Sequence, residues 1–172
     1  IDVYRGVMKP VKNILHVALY VCYFPQLIAG PIMRGHELMP QIATKKTFDL
    51  DRFRSGLHLC LWGLFKKVCL ADNLAAFVDP VYAAPGEYSG VAMLLATYAF
   101  AFQIYCDFSG DSDIAIGLAR ILGYELILNF NRPYLAANIT EFWRRWHISL
   151  SSWLRDYLYV PLGGNRGSKL FT

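Results

Sequence analysis

From Tyr88 to Cys106 the chain runs for nineteen residues without a formal charge, and this stretch limits the possible fold more than any other feature. A helix needs ~20 predominantly apolar residues to cross the hydrocarbon core of a bilayer. The segment therefore predicts a membrane span. A second uncharged run, Asn13 to Met33, is of similar length but contains Pro25 and the pair Gly30 and Pro31. Proline removes a donor from the helical ladder, so this run predicts a broken or re-entrant piece, half a span followed by a cavity-lining turn.

Composition points the same way. The chain is 55% hydrophobic and only 17% charged, yet its mean hydropathy of +0.31 is modest for a bundle made of spans alone. Part of it must lie in loops or along a membrane surface. The expected fold class is all-α, a polytopic membrane protein with spanning, broken or re-entrant, and interfacial amphipathic helices. No repeat or low-complexity tract divides residues 1–172, which read as one partial domain. The chain opens at Ile1 rather than at a methionine and has no secretory leader pattern, which reads as an internal fragment of a longer polypeptide.

Charges within the other apolar stretches set further expectations. Leu57 to Val78 has helical periodicity but carries Lys66 and Lys67 near its middle, where each would cost about 2.5–3.5 kcal/mol at the bilayer centre. A break at the lysines, placing both at an interface, is expected. The run Ile114 to Phe130, interrupted by Arg120 and Glu125, reads as a separate shorter helix N-capped by Asp113. Arg34, Lys45, Lys46, Arg52 and Arg54 fall in one loop, whereas the connection Asp79 to Glu87 has no basic residue. The positive-inside rule makes the first cytoplasmic and the second external.

Four cysteines stand singly in apolar runs, without a zinc-like spacing, and read as buried packing residues. The net charge of +4 is spread along loops rather than gathered into a basic and aromatic stripe. Nucleic acid is thereby excluded as a partner, and lipid headgroups are the expected counterpart.

The segment Trp143 to Tyr159 carries the most chemistry. Asn138 followed by Glu141 resembles a capping box, and Pro161 with Gly163, Gly164 and Asn165 closes the far end. One amphipathic helix is predicted between them. Trp143, Trp146, His147, Leu150, Trp153, Leu154, Tyr157 and Leu158 share one arc; Arg144, Arg145, Ser149, Ser151, Ser152, Arg155 and Asp156 share the other. Such a helix suits the membrane plane, with aromatics at headgroup depth and arginines toward phosphates. Ile148 and Tyr159 break the pattern, so the polar face should be partly covered. His147 is the ionisable group on the apolar arc. Its near-neutral reference pKa suits proton transfer, although a buried histidine can equally be a hydrogen-bonded core residue.

The block YCDFSGDSDIAIGLARILGYELILNFNRPYLAANITEFWRRWHISLSSWLRDYLYVPLGGNRG, with the upstream pieces YFPQLIAGPIMR and GLFKKVCLADNLA, resembles the alginate O-acetylation branch of the membrane-bound O-acyltransferase family. The resemblance implies an all-helical, multi-pass enzyme of the bacterial cytoplasmic (inner) membrane that moves an acyl group, usually acetyl, onto a hydroxyl of an exported or cell-envelope polysaccharide. Partner proteins of envelope acetylation would complete the modification. No tightly bound cofactor is implied; the donor is a co-substrate such as acetyl-CoA or another acyl thioester.

His147 matches the family's histidine in the WHISLSSW stretch. The resemblance places a second, principal histidine downstream of the GGNR turn, beyond Thr172. His147 is therefore expected to support catalysis or line the cavity, and the fragment alone is expected to be inactive. Asn129, Asn131 and Arg132 of NFNRPY, together with Trp146 and Arg155, are the candidates for lining the substrate or donor side, since a developing oxyanion needs N–H donors. A polar loop that merely closes a helix explains the first three equally well.

Asp111 replaces the aromatic residue usual in the family at this motif, so that Asp107, Asp111 and Asp113 follow in close succession. Three carboxylates invite a hard cation, but the spacing is not that of a calcium loop, and no metal is expected. Two other classes remain at this level: a transporter or channel module, which would also use broken helices, and a non-catalytic scaffold that docks polymer-synthesis partners through the basic loop.

Overall fold

The computed structural model describes residues 1–27 and 29–164, so Ile28 of the broken segment and Asn165 of the closing turn lie outside the described residues. Regular structure there is entirely helical. The uncharged run at 13–33 is broken as its prolines predict, into α1 (Ile14–Val21) and the single turn α2 (Phe24–Leu27), followed by α3 (Gly35–Ala43).

The centre of the molecule is an antiparallel helix pair. Helix α4 (Leu50–Leu64) passes through a π-helical turn, Phe65–Ala71, into α5 (Asp72–Ala83). Opposite it stands α6 (Gly90–Ile121), which alone among the described residues is long and apolar enough to cross a membrane. At ~1.5 Å per residue it is roughly 48 Å long. In its most apolar window only 11% is buried within the chain, with Val91, Leu94, Leu95, Tyr98 and Phe102 exposed. The core helix of a soluble protein would hide these side chains.

Glycines let α4 and α6 touch backbone to backbone. Gly63 faces Gly110, and Gly56 faces Gly117; a Cβ added to Gly63 would lie 2.5 Å from the Gly110 carbonyl oxygen, and one added to Gly56 2.7 Å from that of Gly117. Small residues at contacts of this kind allow close packing where hydrocarbon offers no hydrophobic driving force. The antiparallel arrangement puts Arg52 beside Gly123 at the C-terminal end of α6, whereas Tyr82 packs on Phe100 toward the other end. The basic segment from Arg34 to Arg54, which holds α3 and the start of α4 rather than a loop, and the base-free connection thus lie at opposite ends of the pair.

Four further local expectations are corrected. The helix does not break at the lysines: it shifts its hydrogen-bond register through the π turn and continues. Lys66, 8% exposed, meets Asp113 at 2.5 Å and donates to the Ser109 carbonyl and hydroxyl at 3.2 and 3.0 Å. Three acceptors thus satisfy its three N–H donors. Lys67 pairs with Asp107 and, at 3.3 Å, with Asp72.

Asp113 consequently lies inside α6 and caps nothing, and Ile114 to Phe130 is not a separate helix. Helix α6 runs on to Ile121 and stops at Gly123, whose φ of 90° is left-handed. Tyr124 N–H then bonds the Ala119 carbonyl at 2.9 Å, a Schellman-type ending. Among the cysteines, Cys60 and Cys106 are buried, but Cys22 and Cys69 are exposed, because they sit on outward faces of short or π-helical turns.

The last correction concerns the amphipathic helix. It is not one helix but α7 (Ile139–Arg145), α8 (Ile148–Leu154) and a π turn, Arg155–Tyr159. The expected cap is present: Asn138 Oδ1 accepts from Glu141 N–H at 2.9 Å, and Glu141 Oε2 accepts from Ala137 N–H at 2.8 Å. The break falls at Trp146 and His147, where another segment supplies the hydrogen bonds that the helix gives up.

Candidate functional site

That segment is Asn129 to Arg132, which follows α6 after its glycine stop. Asn131 N–H donates to the Arg145 carbonyl at 2.9 Å, and Ile148 N–H donates to the Asn129 carbonyl at 2.9 Å. Helix ends leave main-chain groups without partners; here the last carbonyl of α7 and the first N–H of α8 are both satisfied by one irregular strip. Arg145 Nη1 also reaches the Arg132 carbonyl at 3.5 Å. Glu141 ties the Arg145 side chain back to α7.

Two residues on this clamp adopt the left-handed region, Arg132 at φ 47° and His147 at φ 44°. For residues with a Cβ this conformation costs roughly 1–2 kcal/mol, and strain of this kind gathers at functional sites. The extended Trp146 and the left-handed His147 together turn the chain out of helix between α7 and α8, which opens the gap that the strip fills.

Aromatic rings fix the clamp against α6. Phe130 sits edge-on to Phe108 and to Trp146, both with ring centres 5.0 Å away, and to Tyr105 at 5.8 Å. Trp146 stacks on Phe142 at 5.6 Å. The imidazole of His147 stands edge-to-face on Phe108 at 4.7 Å. Burial among these rings holds its pKa below the ordinary histidine value, because a low-polarity setting disfavours the charged form. At neutral pH the ring is uncharged and able to accept a proton.

Beneath the break lies a buried polar pair. Ser149 donates its hydroxyl to Asn129 Oδ1 at 2.5 Å, and both residues are 1% exposed. With its oxygen so used, the Asn129 amide nitrogen has no acceptor among the described residues. A buried N–H without a partner is costly, and it is the type of group that binds a carbonyl or oxyanion oxygen.

Five of the six residues singled out from the sequence, Asn129, Asn131, Arg132, Trp146 and His147, therefore converge on the clamp. Arg155 does not. It lies on the π turn, bonds Asp156 at 2.8 Å, and lines a cavity with Thr140, Trp143, Arg144, Ser151 and Ser152. Asp156 also pairs with Arg34 at 2.5 Å. The hydrogen bond from Arg155, with Arg34 beside it, holds the Asp156 carboxyl below the usual carboxylate range.

Phe108, Phe130 and Ser149 belong to the site and were not singled out from sequence. The one available signal was Ile148, an apolar residue on the polar arc, which implied that this face is covered; Ser149 is its neighbour. Of the acidic triplet, Asp107 and Asp113 are engaged by lysines, and Asp111 lines an otherwise apolar groove with Phe24, Pro25 and Leu118.

The model of the membrane-bound O-acyltransferase family matches residues 9–172. The chain is 49% identical over its whole length to the probable alginate O-acetylase of Azotobacter vinelandii, covering 34% of that protein. Over 92% of its length it is 46% identical to the peptidoglycan O-acetyltransferase of Helicobacter pylori, covering 31% of it. It is also 29% identical to the teichoic acid D-alanyltransferase of Bacillus subtilis, over 90% of this chain and 40% of that one. The chain thus spans about a third of the length of the alginate and peptidoglycan relatives.

Proposed function

The chain belongs to the membrane-bound O-acyltransferase family, and from that membership we propose that the full-length protein containing it moves an acyl group, acetyl in the first instance, from a cytoplasmic donor to a hydroxyl of an exported or cell-envelope polysaccharide. The observation that carries the reading is the 49% identity, along the entire chain, to a probable alginate O-acetylase. The acyl donor is acetyl-CoA or another acyl thioester, used as a co-substrate. The protein sits in the bacterial cytoplasmic membrane as a multi-pass enzyme, with the basic segment from Arg34 to Arg54 inside, and works with partner proteins of envelope acetylation.

Chemically, the acceptor hydroxyl attacks the thioester carbonyl, its proton passes to a base, and the thiol leaves. His147 serves as a supporting group. Its uncharged imidazole accepts a hydrogen bond from the acceptor or lines its path, while the principal histidine is the one that the family resemblance places downstream of Thr172. The free amide nitrogen of Asn129 suits the developing oxyanion. Asn131 and Arg132 hold the break open, and Trp146 walls it.

The test is acyl analysis of envelope polysaccharide by mass spectrometry in cells with the gene, without it, and with His147→Gly, which keeps the left-handed backbone. Loss of polymer acylation in the deletion strain supports the reading; unchanged acylation there overturns it. Acylation reduced in His147→Gly at normal membrane level supports a site role for the imidazole, and full acylation removes it from the site.

A further inference from the structure

Arg144 of α7 and Arg155 of the π turn after α8 line one cavity of about 550 Å³, and no carboxylate is among its described lining residues. Arg144 has no ion pair among the described residues. Arg155 shares Asp156 with Arg34 at 2.8 and 2.5 Å, so two guanidiniums divide one carboxylate. The cavity therefore carries surplus positive charge in a forked-donor form that matches phosphate oxygens. Ser151 and Ser152 already give their hydroxyl protons to the main chain, which leaves recognition to the two arginines.

Arg155 also lines a second cavity, of about 420 Å³, with Leu154, Leu158 and Leu162. These leucines recur every fourth residue and are 40%, 51% and 77% exposed. All three leucines line that one cavity together with Arg155. A soluble phosphate would use the cationic end and leave the leucines in water; a long-chain amphiphile satisfies both. We propose that this cleft is a lipid site: the phosphate of an anionic phospholipid sits between Arg144 and Arg155, and one of its acyl chains lies along Leu154, Leu158 and Leu162.

Native mass spectrometry of the full-length protein in detergent, offered phosphatidylglycerol and phosphatidylcholine of matched chain length, tests this directly. Retention of phosphatidylglycerol over phosphatidylcholine by about tenfold is expected, falling to near parity in the Arg144→Gln/Arg155→Gln double variant and largely kept in Arg144→Lys. If the double variant does not purify as a folded protein, the exposed Arg144→Gln alone carries the test, with a partial loss expected. Leu158→Ser should weaken retention of long-chain but not short-chain phosphatidylglycerol. Equal retention of both lipids, no effect of losing the arginines, or displacement of the lipid by glycerol phosphate or coenzyme A overturns the proposal, the last by making this a free-phosphate site. The readout is binding alone and is independent of the reaction proposed above.

Discussion

Lys66, on the π turn that follows α4, and Asp113 of α6 meet at 2.5 Å, with side-chain exposures of 10% and 20%. Lys67, next in the chain to Lys66, pairs with Asp107, the first residue beyond the uncharged run of α6. Breaking a buried pair by removing one partner strands the other charge, at a cost of about 3–5 kcal/mol. Asp113→Asn should therefore lower the unfolding temperature of the detergent-solubilised protein sharply. Lys66→Met with Asp113→Leu, which removes both charges, should be nearer wild type. Equal stability of Asp113→Asn and wild type would show that the pair is not buried in the intact protein.

The glycine seam gives a steric prediction. A Cβ on Gly63 would enter the Gly110 carbonyl, and one on Gly117 would come within 2.6 Å of the Gly56 carbonyl oxygen. Backbone cannot yield as a side chain does, so Gly63→Ala or Gly117→Ala should cost about 1–3 kcal/mol despite alanine's better helix propensity. Gly86→Ala, which meets nothing within 4 Å, is the control and should be neutral by the same thermal assay.

His147 links conformation to pH. Its folded pKa lies below 6.5 because of burial, so the unfolded chain binds the proton more readily. The resulting stability is fully present above about pH 6.5 and declines as pH falls through the folded value. Wild type should thus lose unfolding temperature between pH 7.5 and 5.5 more steeply than His147→Asn, which tolerates the left-handed backbone. Parallel curves would place the ring in contact with water.

How much of this was legible follows from where the deciding interactions lie. The span at α6 and the break near Pro25 came from local properties, charge-free length and a missing N–H. The cap at Asn138 was equally local. The continuity of α4 through Lys66 was not, because it depends on an acceptor set on α6, Ser109 and Asp113, more than forty residues away in sequence. The break at His147 was hidden for the same reason: the local pattern from Trp143 to Tyr159 is that of an uninterrupted helix, and the partners that replace its hydrogen bonds belong to Asn129 and Asn131. Convergence of five candidate residues was indicated by family resemblance rather than by spacing.

The clamp itself can be tested through Ser149. Its hydroxyl is the donor to Asn129 Oδ1, and Ser149→Ala leaves that buried oxygen without its partner, at a cost of about 1–3 kcal/mol. Asn129→Ala removes the side chain that answers Ser149 and also the unpaired amide nitrogen. If that nitrogen served packing alone, both variants would lower stability and acyl transfer together. If it binds the reacting carbonyl, Asn129→Ala should lose roughly 10²–10³ in turnover, the effect typical of a missing oxyanion donor, while Ser149→Ala loses much less at comparable stability. The measurement is acyl transfer by the reconstituted full-length protein alongside its unfolding temperature; equal turnover losses would assign Asn129 to the scaffold.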